Sequence, residues 1–189
     1  MNHITRYIVT RINCVKTHIK YKSRLFIDLH THIKGGRRIT LDDGVKIGRY
    51  SMLIAHADGK IEIGEGSDIS MFSRIGSRCY VKIGKNVLTG PHVFIADYNH
   101  AYTDITQPVL SQGDLVKRPH DGSPCLSIGD DSWIGTNVCI AGNVHIGKHC
   151  VIGANSVVTH DIPDYCVAAG IPCVVIKRYD EESRSWIRV

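Results

Sequence analysis

The stretch IGDDSWIGTNVCIAGNVHIGKHCVIGANSVVT, residues 128–159, decides the fold. Aliphatic residues recur in it every six positions, at Ile128, Ile134, Ile140, Ile146, Ile152 and Val158. Working outward, the same period runs through Ile83, Thr89 and Ile95, and before them through Ile63, Ile69 and Ile75, with a weaker pair at Ile47 and Leu53. Glycine follows the aliphatic residue at Gly48, Gly64, Gly76, Gly84, Gly129, Gly135, Gly147 and Gly153. A period of six is neither the 3.6 of a helix nor the 2 of an alternating strand. It suits a short strand and a tight turn, repeated. Three such units close a triangular coil of about 18 residues, and stacked coils share one apolar interior. β-Hairpins with Ile-Gly turns are the other reading, but hairpins would not hold a strict period of six. The expected fold is all-β, a parallel β-helix of hexapeptide repeats over 33–160.

The period lapses between Ile95 and Ile128. The segment DYNHAYTDITQPVLSQGDLVKRPHDGSPCL, residues 97–126, is polar and holds Pro108, Pro119 and Pro124. A long insertion in a compact fold is commonly functional. It is expected to be an irregular loop projecting from one coil.

The ends differ from the middle. Ile4, Ile8, Ile12, Val15 and Ile19 follow one another at gaps of four, four, three and four, and Arg6, Arg11, Lys16 and Lys20 lie on the polar side. That pattern predicts an amphipathic helix within 1–32. It reads either as a cap on the open end of the β-helix or as a weak attachment to an anionic membrane surface. Residues 161–189 read as a capping strand followed by a charged tail, KRYDEESRSWIRV, with a short helix.

Composition narrows the classes. The 189 residues are 43% hydrophobic and 22% charged, which fits a globular chain and excludes a disordered one. No run of about 18 apolar residues predicts a membrane-spanning helix. The charged N-terminus lacks the apolar core of a secretory signal, so the chain is expected in the cytoplasm, or peripheral to the inner face of the membrane. There are seven cysteines and no CxxC pair, and all seven are expected as reduced thiols. A net charge of +5 without aromatic-basic interleaving gives no case for nucleic acid.

The segment from Ile128 to Arg178, together with IGKNVLTGPHVFIADYNH upstream, resembles the hexapeptide-repeat acyltransferases over roughly 47–178. It is especially similar to the maltose and galactoside O-acetyltransferases. The string His100-x-Tyr102-x-Asp104, followed by Pro108 and Gln112, resembles enzymes that acetylate capsule and lipopolysaccharide sugars. The resemblance implies a left-handed β-helix, a homotrimer with active sites between subunits, and direct acetyl transfer from acetyl-CoA to a sugar hydroxyl. No metal is implied.

A hydroxyl is a poor nucleophile until a base takes its proton, and a neutral imidazole suits that task. His100 occupies the position of the family's catalytic histidine. By the same resemblance, Thr136 supplies a backbone N–H to the developing oxyanion and Trp133 flanks the pantetheine arm. Ala154 meets the pantetheine amide, Thr159 and His160 lie near the nucleotide end, and Lys177 faces a CoA phosphate. Trp133 also reads as a packing aromatic between subunits. Ser70, Asp97 and Asn99 are candidate acceptor contacts. The chain departs from the family at His160, where lysine is frequent, at Val174, where arginine is frequent, and at Ser70, where the sugar branch has asparagine.

Other readings are N-acetylation of an amino sugar or nucleotide-amino sugar, which would use the same base and cleft, antibiotic acetylation, and a non-catalytic β-helix assembly module. A gamma-type carbonic anhydrase needs two histidine ligands five residues apart, and no two histidines here have that spacing.

Overall fold

The computed structural model describes residues 3–189, without the side chains of His3, Ile4 and Arg6. Three parallel sheets run the length of the molecule and form the faces of a triangular prism. We name them A, B and C in the order each coil visits them. The first coil is Lys20–Tyr21, Phe26–Ile27 and His32–Lys34; the fourth is Tyr80–Ile83, Leu88–Thr89 and Phe94–Ala96. The fifth is Leu126–Ile128, Trp133–Ile134 and Cys139–Ala141, and the sixth is His145–Ile146, Val151–Ile152 and Val157–Val158. A seventh begins with the bridge of Ile162 to Ile146.

Register explains the repeat. On face A, Leu41, Ile63, Ile83, Ile128 and Ile146 stand in one row, each directly beside the next. Every residue of the six-residue period points inward, and none is more than 3% exposed. Burying each such side chain contributes about 1.5–3 kcal/mol. The glycines sit where successive coils touch. A Cβ on Gly135 would stand 2.6 Å from the Ala154 backbone nitrogen, and one on Gly129 would meet the Gly147 carbonyl carbon at 2.5 Å. Only a residue without a side chain permits that approach.

The coils begin earlier than the repeat indicated. The helix covers His3–Thr17, and face A starts at Lys20–Tyr21 rather than near residue 33. The helix does cap the core, but not through the expected stripe. Thr10 and Cys14 are buried, and Thr10 Oγ1 accepts the Ile27 N–H at 2.9 Å. Ile8, Ile12 and Val15 are 51, 47 and 74% exposed. Ile4 and Arg6 lie outside the described side chains, and Ile19, the last apolar member of that pattern, lies past the helix end and is buried in the core. Among the described residues no helix is long and apolar enough to cross a membrane.

The C-terminal tail holds no helix. Val174–Asp180 and Ser185–Arg188 form an antiparallel hairpin that extends face B from Cys166–Ala169. The open edge of face B and the β-branched run Val174-Val175-Ile176 override the local charge pattern. A second correction concerns cysteine. Cys79 and Cys125 are joined as a disulfide, with Cα atoms 6.2 Å apart. They meet because face A resumes after the insertion with Val81 beside Leu126, a closure invisible across 46 residues of sequence.

Candidate active site

The insertion leaves the prism at the corner between faces C and A, directly after Phe94–Ala96. It is not wholly irregular. Asn99–His100 pairs antiparallel with Asp114–Leu115, so His100 stands opposite Asp114. His100 is 73% exposed, and its Nδ1 lies 2.9 Å from Asp114 Oδ1. Asp114 is 17% exposed, and its Oδ2 lies 2.7 Å from Arg78 Nε. Asp114 Oδ1 is itself buried and engages in no aligned hydrogen bond among the described residues. With a proton on Nδ1 directed at this oxygen, Nε2 of the exposed imidazole would be the basic nitrogen. Arg78 also stacks over the Tyr98 ring at 5.2 Å, and the Tyr98 hydroxyl lies 3.3 Å from His56 Nε2. Burial and the Arg78 guanidinium lower the His56 pKa below its usual value. A cleft of about 410 Å³ opens beside His100, lined by Arg78, Val109, Leu110, Gly113 and Asp114.

Asp114 and Arg78 escaped the sequence reading. They lie 14 and 22 positions from His100, and only the ribbon brings the three together. Asp97, expected at the acceptor, plays a different part. It is 1% exposed. Its Oδ1 accepts the Arg78 N–H, and its Oδ2 accepts the Ser77 hydroxyl and the Cys79 N–H. Its oxygens are committed to the backbone that carries Arg78, so it fixes the base of the loop and cannot face an acceptor. Asn99 is exposed beside His100.

The remaining candidates fall into two groups. Thr159 and His160 follow the last face C strand, on the same corner as His100 and two coils further along, with Thr159 Oγ1 2.9 Å from His160 Nδ1. Ser70, Thr136 and Ala154 follow face B strands and occupy the corner between faces B and C. The Asn155 N–H donates to the Thr136 carbonyl there, which sets Ala154 directly below Thr136. Trp133, Val151, Val167 and Lys177 form one row across face B, and Trp133 is 52% exposed. Within one protomer the width of face C therefore separates the candidate base from the Thr136–Ala154 corner.

Residues 126–160 match the family described as bacterial transferase hexapeptide (six repeats). A chain of Escherichia coli named "Putative lipopolysaccharide biosynthesis O-acetyl transferase WbbJ" is 30% identical over 170 residues, 90% of this chain and 87% of that one. The chain belongs to the hexapeptide-repeat acyltransferases. A Mycobacterium tuberculosis chain named as an acetyltransferase is 35% identical to this acyltransferase over 133 residues, 70% of its length but only 42% of the mycobacterial chain. The solved structure of AntD, an N-acyltransferase from Bacillus cereus in complex with dTDP and 3-hydroxybutyryl-CoA, superposes with a TM-score of 0.74. It covers 93% of this chain and 90% of its own at 17% identity, a likeness of fold. The prism of this hexapeptide acyltransferase is thus the left-handed β-helix of its relatives.

Proposed function

We propose that the chain transfers the acetyl group of acetyl-CoA to a sugar hydroxyl in the assembly of a surface polysaccharide, with His100 as general base. The observation that carries this reading is an exposed imidazole whose Nδ1 rests against a buried carboxylate oxygen. The likeness to the chain named "Putative lipopolysaccharide biosynthesis O-acetyl transferase WbbJ", over 90% of this chain and 87% of that one, supports the acceptor class.

The chemistry follows from the placement. His100 Nε2 takes the hydroxyl proton as the oxygen attacks the thioester carbonyl. Asp114 stabilises the imidazolium and fixes its ring. The tetrahedral oxyanion is met by the backbone N–H of Thr136. Collapse expels the CoA thiolate, which recovers the proton from His100. Trp133 and Ala154 flank the pantetheine arm, and Lys177, with Thr159 and His160, serves the nucleotide end.

That scheme needs the two corners to meet, and a homotrimer accomplishes it. If face C of each prism turns toward a three-fold axis, the C/A corner of one protomer abuts the B/C corner of the next. His100 then faces its neighbour's Thr136 and Ala154, and the ring closes with three equivalent sites. Face chemistry supports this orientation. The outward row of face C runs His32, Met52, Arg74, Phe94, Cys139 and Val157, with Arg74 its one fixed charge, while face A presents Lys60, Glu62, Lys82 and His145.

Thiol release tests the reaction. Purified protein with acetyl-CoA is expected to liberate CoA with sugar hydroxyl acceptors. Release confined to amino sugars would replace the hydroxyl with an amine acceptor, and release with no acceptor in a panel of sugars, amino sugars and glycan fragments would contradict the reading.

A further inference from the structure

The N-terminal helix presents a surface that neither the prism nor the transfer reaction uses. Its inward side is accounted for by Thr10 and Cys14. On the opposite side Ile8, Ile12 and Val15 stand at gaps of four and three, which places them on one stripe, and all three are exposed. Tyr7, 57% exposed, lies on the far side of Arg11 from the stripe. At 100° per residue, Arg11 and Lys16 border the stripe on either side. Arg11 is also engaged locally, its guanidinium over the Tyr7 ring and its Nη1 donating to the Tyr21 hydroxyl.

Charge is segregated toward the same end. Residues 1–27 hold six of the 23 cations (Arg6, Arg11, Lys16, Lys20, Lys22, Arg24) and none of the 18 acids. The rest of the chain therefore carries 17 cations against 18 acids, so the whole excess of +5 originates in this segment. Lys22 and Arg24 pair with Asp42 and Asp43. Lys16 stays exposed at the border of the stripe, and Lys20, in the first face A strand just past the helix, is exposed as well.

An apolar stripe bordered by cations, on a helix lying across one end of the molecule, has the form of an interfacial helix. Its apolar side enters the headgroup boundary and its cations meet anionic lipid. We infer that the helix docks the protein on an anionic phospholipid bilayer through Ile8, Ile12 and Val15. In the trimer of the proposed function, on which only this added avidity rests, the three helices share one end of the assembly and bind the surface together.

Vesicle co-sedimentation of the full chain tests the docking. The protein is expected to bind phosphatidylglycerol-containing vesicles at least tenfold more tightly than vesicles of phosphatidylcholine alone, and to release as salt rises. The triple variant Ile8→Ser/Ile12→Ser/Val15→Ser should lose that binding at least tenfold while its Tm, oligomeric state and CoA release with water-soluble acceptors stay unchanged. Lys16→Glu/Lys20→Glu, which leaves the stripe intact, should weaken it as well. Absence of binding to either vesicle, or equal binding to both, overturns the inference. So does a triple variant that changes the oligomeric state, because the stripe would then be a contact between copies. None of these readouts depends on which acceptor the enzyme uses, so the docking and the proposed reaction fail separately.

Discussion

His100→Ala lowers kcat by about 10²–10⁴-fold, the usual worth of a positioned general base, and leaves the fold and the KM for acetyl-CoA near their wild-type values. The fold is spared because the imidazole is exposed and lies outside the prism. On the proposed mechanism the KM is spared, because His100 serves the reacting hydroxyl and not the CoA arm. Asp114→Asn gives a smaller fall in kcat with the same unchanged KM, since Asp114 positions the imidazole and touches neither substrate. Steady-state kinetics on both variants check this. A His100→Ala enzyme of near-normal kcat would remove the base from the scheme.

In the proposed homotrimer, Cys139→Lys dissociates the assembly and reduces activity to the level of the His100→Ala variant. Cys139 lies in the outward row of face C, between Phe94 and Val157. Partial burial already raises the pKa of its thiol. Three lysines brought together near the proposed axis would add to the Arg74 guanidinium groups of the same row, and unpaired buried charge of one sign is strongly destabilising. The single protomer should still fold, because the inward row at Ile140 is untouched. Sedimentation and thiol release on the same preparation separate assembly from chemistry. A Cys139→Lys protein that remains trimeric and active would place the protomer contact on another face.

The prism was legible because the period of six maps each aliphatic residue to an inward position and most of the following glycines to a close contact between coils. The first coils were less legible for a geometric reason. The step along face A is 22 residues from Leu41 to Ile63 and 20 from Ile63 to Ile83, against 18 from Ile128 to Ile146, so longer corners blur the period. The stripe of the N-terminal helix was visible in sequence, but not its direction. The hydrogen bonds of Thr10 to Ile27 turn the polar Thr10 and Cys14 side inward instead. At the proposed site, His100 stands out by its place after Ile95 and by the resemblance to the family's catalytic histidine. Asp114 and Arg78 were not, because their proximity arises from a two-stranded ribbon inside what reads as loop. Asp97 was misassigned because sequence neighbours of a base look alike whether they face solvent or, as here, hold the backbone of Arg78.

The central claim is that each active site takes its base from one protomer and its CoA-binding corner from the next. Co-expression of two inactive proteins, His100→Ala and Ala154→Tyr, tests it most directly. Ala154 is exposed in the protomer, so a tyrosine fits the fold but blocks the cofactor arm. In randomly mixed trimers about a quarter of the sites pair an intact His100 with an intact Ala154 corner, as closed symmetry requires. The account predicts recovery of roughly that fraction of wild-type CoA release from the mixed trimers. Activity no greater than that of the two parents would contradict it, and would mean that both halves of the site belong to one chain.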